Sequence, residues 1–198
     1  GVVFDMDSMR MAAGWTTPAI KFEGLPFSNG HGAFPNLRGV TTFTNKAHPG
    51  WGKEGSVKDP REGEYPRLGP LPRSWAKYKG LFIHNDKTVL EYSVGGTSVL
   101  ELPYLAGEGE SAYIVRRFEI QSDGKPLTLV LADAPSDGVE IDGLSASFGD
   151  AVIGVQGVSG WKLVQQETSL VLQIPRQKGE IHFQVGYARG SEAAASSL

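Results

Sequence analysis

The sequence predicts an all-β protein, an antiparallel β-sandwich of two packed sheets carrying a long ordered arm, and three observations lead there. Glycine (26) and proline (12) are scattered through 198 residues so evenly that the longest stretches free of both, 81–94, 110–123 and 161–174, are only 14 residues long. That leaves little room for helices. Apolar residues alternate with polar ones in period two: Leu90, Tyr92 and Val94 with Glu91 and Ser93, and Leu170, Leu172 and Ile174 with Ser169 and Gln173. Turn dipeptides recur at hairpin intervals between these runs, at Asn85-Asp86, Gly95-Gly96, Asp123-Gly124, Asp137-Gly138, Asp142-Gly143, Gly149-Asp150, Ser159-Gly160 and Lys178-Gly179.

Along the chain, residues 2–4 and 19–22 read as strands, with 6–13 ambiguous between a strand and a short helical turn. Residues 24–79 are of another kind. They hold seven of the twelve prolines, His31 and His48, and the aromatics Trp51, Tyr65, Trp75 and Tyr78, with few apolar runs. An aromatic-rich segment of this length is expected to be an ordered arm, packed across one sheet. Trp75, close to the next strand, is its expected anchor, and Trp51, between Gly50 and Gly52, its expected partly exposed contact residue. From residue 80 to 188 about ten short strands follow, too many for one flat sheet with open edges, so two packed sheets are expected. The cleanest sets Ile181, Phe183, Val185 and Tyr187 against Glu180, His182, Gln184 and Gly186. Residues 1–190 therefore form one sandwich domain. The small-residue segment 191–198 reads as a linker or tail, and the opening Gly1-Val2-Val3-Phe4 lacks an initiator methionine and a signal h-region, so a piece of a longer protein is expected.

Composition excludes several functions. With no cysteine there is no thiolate zinc site, iron–sulfur cluster or covalently attached haem. The formal charge is −3, with 19 basic and 22 acidic residues and no basic run, which argues against nucleic-acid binding. No apolar stretch approaches the roughly 20 residues of a membrane-spanning helix, so no membrane insertion is expected. A chain of this length buries roughly 70% of its unfolded surface and needs no structural metal. Four scattered histidines give no metal-ligand spacing, and no nucleophile elbow, phosphate loop or dinucleotide fingerprint appears. No cofactor is expected.

Several phrases together are more specific: FDMDSMRMAAGW (4–15), GHGAFP (30–35), PGWGKEGSVKDPR (49–61), LGPLPRSWAKYKGLFIHNDKTVLEYSVGGTSVLELP (68–103) and KPLTLVLAD (125–133). On these the chain resembles an uncharacterised N-terminal domain of large secreted bacterial proteins. In those proteins it precedes a β-propeller similar to sugar dehydrogenases and a c-type cytochrome domain. The resemblance implies a periplasmic or secreted setting and a redox or carbohydrate-processing context. It supplies no catalytic residues, and neither haem binding nor dehydrogenase activity transfers to this chain.

The candidate sites each carry a simpler alternative. Asp5, Asp7 and Arg10 form a possible cation or sugar site, or a wet strand face with Phe4 and Met6 turned inward. His31, His48 and Asp59 are a remote metal possibility. Glu91, Glu101 and Glu119 would serve as a glycosidase-type carboxylate pair if they met, although alternation points each outward. Trp51, Tyr65, Trp75 and Tyr78 with Arg61, Arg67 and Arg73 suggest a carbohydrate platform or docking surface, or the private core of the arm. Trp51, Tyr65, Arg61, Arg67 and Arg73 are the expected ligand-binding residues. The leading expectation is a non-catalytic accessory module contacting carbohydrate or an adjacent propeller or cytochrome domain, and monomeric in isolation. The alternatives are a carbohydrate-active enzyme domain and a pure scaffold.

Overall fold

Period-two patterning closed by tight turns makes strands of more than half of the chain that a computed structural model describes, namely residues 1–17, 21–23, 36–64 and 67–190, with 21–23 and 36–38 described by their backbone. In chain order the strands are β1 (Val2–Asp5), β2 (Arg10–Gly14), β3 (Lys21–Glu23), β4 (Asn36–Arg38), β5 (Phe43–Thr44), β6 (Trp51–Gly52), β7 (Ala76–His84) and β8 (Lys87–Val94). There follow β9 (Thr97–Ala106), β10 (Tyr113–Asp123), β11 (Leu127–Asp133), β12 (Glu140–Asp142), β13 (Ser145–Phe148), β14 (Ala151–Gln156), β15 (Lys162–Gln166), β16 (Ser169–Ile174) and β17 (Lys178–Arg189).

These pair antiparallel into an eight-stranded sheet ordered β12-β13-β14-β17-β10-β9-β8-β7 and a four-stranded sheet ordered β15-β16-β11-β6. The two pack face to face as a sandwich. Ile114, Phe118 and Ile120 from β10, with Ile181, Phe183, Val185 and Tyr187 from β17, face Leu129 of β11 and Leu170 and Leu172 of β16 across one buried core. Aromatic rings join the layers: Trp51 of β6 meets Phe118 edge-on at 6.2 Å, and Trp161, just before β15, meets Phe183 at 5.0 Å. A small sheet, β1-β2-β5, covers one end, where Phe43 stacks on Tyr187 at 4.1 Å and Phe4 lies 5.6 Å from Tyr92.

Most of the turn chemistry works as read. Gly95-Gly96 forms a two-residue hairpin turn between paired Val94 and Thr97, with Gly95 at φ 55°. Two of the uninterrupted stretches fold as hairpins. Residues 81–94 turn at Asn85-Asp86, and 161–174 turn at Glu167-Thr168, where Glu167 adopts φ 53° with no glycine or proline to mark the reversal. The ambiguous stretch 6–13 resolves into a turn over residues 6–9 followed by β2. Met6 was expected inward. It lies on the turn, 54% exposed, because β1 ends at Asp5, and Met9 at φ 50° takes the core position.

The arm departs from expectation more. The segment 24–35, which includes His31, and the residues 65–66, which include Tyr65, lie outside the described residues, as does 191–198. The rest of the arm builds into sheets: β5 joins the small sheet, and β6 extends the four-stranded sheet at its edge, Trp51 pairing with Leu129. Trp75 is buried as expected, but Trp51 is fully buried too, so it is not a contact residue. The flanking glycines provide clearance, not freedom: a Cβ on Gly50 would lie 2.0 Å from the Met9 carbonyl oxygen. Gly50 donates to Ser8 O (2.9 Å) and accepts from Val130 N (2.9 Å), clamping the 6–9 turn to β11.

Trp51→Ala and Trp75→Ala should each lower unfolding free energy by about 3–5 kcal/mol in urea titrations. Gly50→Ala should also destabilise, by about 1–3 kcal/mol, although alanine normally stabilises a flexible glycine position. A Trp51→Ala midpoint equal to that of the parent would contradict this packing.

Candidate functional site

The inner face of the large sheet carries a polar network. Alternation on β9 turns Thr97, Val99 and Glu101 inward, so Glu101, expected outward, is fully buried. Burial is tolerable because Arg116, equally buried on the neighbouring β10, donates from Nε to Glu101 Oε1 at 2.6 Å. The Tyr92 hydroxyl donates to Glu101 Oε2 at 2.6 Å and accepts from Trp51 Nε1 at 3.2 Å. Arg116 Nη1 donates to the Tyr187 hydroxyl at 3.1 Å, and its guanidinium lies 5.0 Å over the Phe118 ring. Burial alone would lower the Arg116 pKa, but the Glu101 carboxylate outweighs it and holds it above the ordinary value. Burial, reinforced by Glu101, pushes the Tyr92 phenol well up, and burial raises Tyr187 as well. The network fixes structure: Tyr92, Glu101, Arg116 and Tyr187 lie side by side on four adjacent strands of the large sheet, and Trp51 joins them from the facing one.

The other two carboxylates do not join it. Glu91 and Glu119 sit on the outer face of the large sheet, both in register with Leu100 of β9, which lies between them. Glu91 pairs with Lys79 at 3.4 Å, and Glu119 is exposed opposite His182.

Near the N-terminus Asp5 caps the 6–9 turn, accepting from Asp7 N (3.0 Å), Ser8 N (3.4 Å) and Ser8 Oγ (2.6 Å), and pairs with Arg10 at 3.1 Å. Burial would raise the Asp5 pKa, yet the Ser8 hydroxyl, the Arg10 charge and the two N–H donors together hold it below its ordinary value. Arg10 also donates to the Asn45 and Lys46 carbonyls. These two residues therefore shape the turn, and Asp7 is left facing outward.

Asp59 and Arg61 clasp the arm. Arg61 forks onto the Asp59 carboxylate (2.9 and 2.7 Å) and donates to Gly69 O at 2.5 Å. Burial would raise the Asp59 pKa, but the Arg61 bonds and charge hold it low. Arg67 donates to Gly63 O at 3.2 Å. Arg61 and Arg67, expected to bind ligand, are thus engaged within the arm. His48 lies by Asp133 (3.6 Å), not Asp59, and its Nδ1 meets Pro49 O at 2.9 Å. His182 is an exposed strand residue paired with Glu180 at 2.6 Å. Among the described residues no three histidine or carboxylate side chains are grouped to hold a metal.

What does converge is a groove of about 300 Å³ between the 6–9 turn, the 70–73 segment and the start of β7. Asp7, Arg73, Lys77 and Tyr78 line it with Met6, above the buried Met9 and Leu71. Its walls are tied together by the bond from Leu71 N to Asp7 O (2.8 Å) and indirectly by the Arg61–Gly69 contact. Two cations, one carboxylate and a phenol on tethered backbone can offer donors and acceptors at once beside an aromatic ring. Arg73 and Tyr78 stand together in one candidate set read from the sequence, and Asp7 in another. Lys77 and Met6 stand in neither, because nothing in the sequence brings the turn to the start of β7.

Residues 2–101 match the model of a family described as a domain of unknown function (DUF6797), half of the chain and every groove residue. No curated protein and no solved structure matches the chain.

The displaced titrations set a pH profile for stability. Asp5 and Asp59 lie below their ordinary values, so their contribution is present above about pH 4 and is lost as pH falls further. Tyr92 and Tyr187 lie above theirs, so their contribution is intact below about pH 10 and is lost as pH rises beyond it. Urea unfolding across pH should show both limbs, and Tyr187→Phe should flatten the alkaline one. An alkaline slope unchanged in Tyr187→Phe would count against the buried phenol.

Proposed function

The chain belongs to the DUF6797 family, a domain of unknown function, and we propose that it is a non-catalytic binding module whose groove takes a carbohydrate. The convergence of Asp7, Arg73, Lys77 and Tyr78 in one open groove carries this reading. A sugar presents neighbouring hydroxyls that donate to a carboxylate and accept from a guanidinium or ammonium, and an apolar face that sits against an aromatic ring. The groove has these groups on rigid elements, so little ordering is needed on binding. Binding is favoured over hydrolysis because Glu101 is committed to Arg116, while Glu91 and Glu119 are held apart by a strand. On the sequence resemblance, the module serves a longer extracytoplasmic protein by holding substrate near a neighbouring domain. A scaffold role is the second reading, favoured by the burial of both Trp51 and Trp75.

Calorimetric titration against neutral and acidic oligosaccharides tests the proposal. Arg73→Ala and Asp7→Asn, both at exposed positions, should each weaken binding at least about tenfold, which is about 1.4 kcal/mol, with unchanged melting. Binding undiminished in both variants, or no oligosaccharide bound, would leave the scaffold reading.

A further inference from the structure

Among the described residues the large sheet has two open edges of opposite character. At one end β7 exposes three consecutive apolar side chains, Leu81 (49%), Phe82 (55%) and Ile83 (74%). Folded proteins protect such edges with lysines, bulges or prolines. Here protection stops halfway: Lys77, Lys79 and a bulge between Tyr78 and Gly80 guard the first half, whereas 81–83 has none of these. At the other end β12 is Glu140-Ile141-Asp142, all exposed. The strand β7 holds no acid and β12 no base.

The faces match as well. Leu81 pairs with Leu90, whose side chain is in the core, so Leu81 and Ile83 lie on the inner face of the sheet and Phe82 and His84 on the outer. Ile141 pairs with Ala146, which pairs with Ile153 of the core, so it too is inward, and Glu140 and Asp142 are outward. On the outer face Lys79 reaches Glu91 and Ser98.

We infer that the domain associates head to tail, β12 of one copy extending the large sheet at β7 of the next. Set against Leu81, Ile141 brings an acid beside Gly80 and the bulged Lys79. Set against Ile83, it brings one beside His84 and its cross-strand neighbour Lys87. Pairing β7 with itself would instead join two lysine-bearing edges. A three-residue strand makes a small interface, so association is weak, depends on concentration and salt, and, being heterologous, does not close at a dimer. This qualifies the monomer expected from the sequence.

Sedimentation velocity at rising concentration, with the intact chain, is the test. The weight-average mass should climb without a plateau at two copies, and Ile83→Asp should abolish the rise. The double variants Lys79→Glu/Lys87→Glu and Glu140→Lys/Asp142→Lys should each stay monomeric with unchanged circular dichroism. Mixed in equal amounts they should associate again, because each supplies the charge the other lacks. A monomer at every concentration overturns the inference, and so does a closed dimer indifferent to Glu140→Lys/Asp142→Lys.

Discussion

The ion pair between Glu101 and Arg116 is the constraint around which the rest of the domain is arranged. Two opposite charges sit in the core, with side-chain exposures of 0% and 1%, where either alone would cost several kcal/mol. Their cost is offset only if the remaining lone pairs and protons are met, and Tyr92, Tyr187 and Phe118 meet them. These partners come from four adjacent strands of the large sheet, β8, β9, β10 and β17. Slipping β10 by one residue would leave an arginine, Arg117, inward, but it would turn Ile114, Phe118 and Ile120 out and Glu119 and Gln121 in, so the apolar alternation around the pair fixes its register.

From that centre the constraint runs outward to the groove. Tyr92 receives the Trp51 indole N–H, which holds β6 on the edge of the facing sheet. Next to Trp51, Gly50 binds both Val130 and Ser8, so the 6–9 turn is fixed against β11. Asp7 in that turn receives Leu71 N, which sets the far wall carrying Arg73. Each link is a backbone or buried contact, and the side chains at the end of the series are exposed. The arm's tryptophans thus serve the core, and they form the base on which the proposed binding surface stands.

The fold was legible because period-two alternation and turn residues act locally. Leu90, Tyr92 and Val94 face the core as their spacing says, and Gly95-Gly96 turns where it should. The site was less legible because its residues are gathered by long-range contacts. The alternation read from the sequence placed Glu101 outward, whereas β9 turns it inward with Thr97 and Val99. Only a buried arginine 15 positions away makes an inward carboxylate acceptable. Trp51 was misread for a similar reason: two flanking glycines signify either flexibility or close approach, and only the position of Met9 decides between them. The hairpin at Glu167-Thr168 carried no turn signal, since a glutamate holds the left-handed position.

A double-mutant cycle on Glu101→Gln and Arg116→Gln, read by urea unfolding, tests the central claim directly. Each single change should cost about 3–5 kcal/mol by leaving its partner buried without a counter-charge, and the double variant should cost much less than the two singles combined. Additive losses would contradict the account. They would mean that the two residues stabilise the sandwich independently and that no pair organises it.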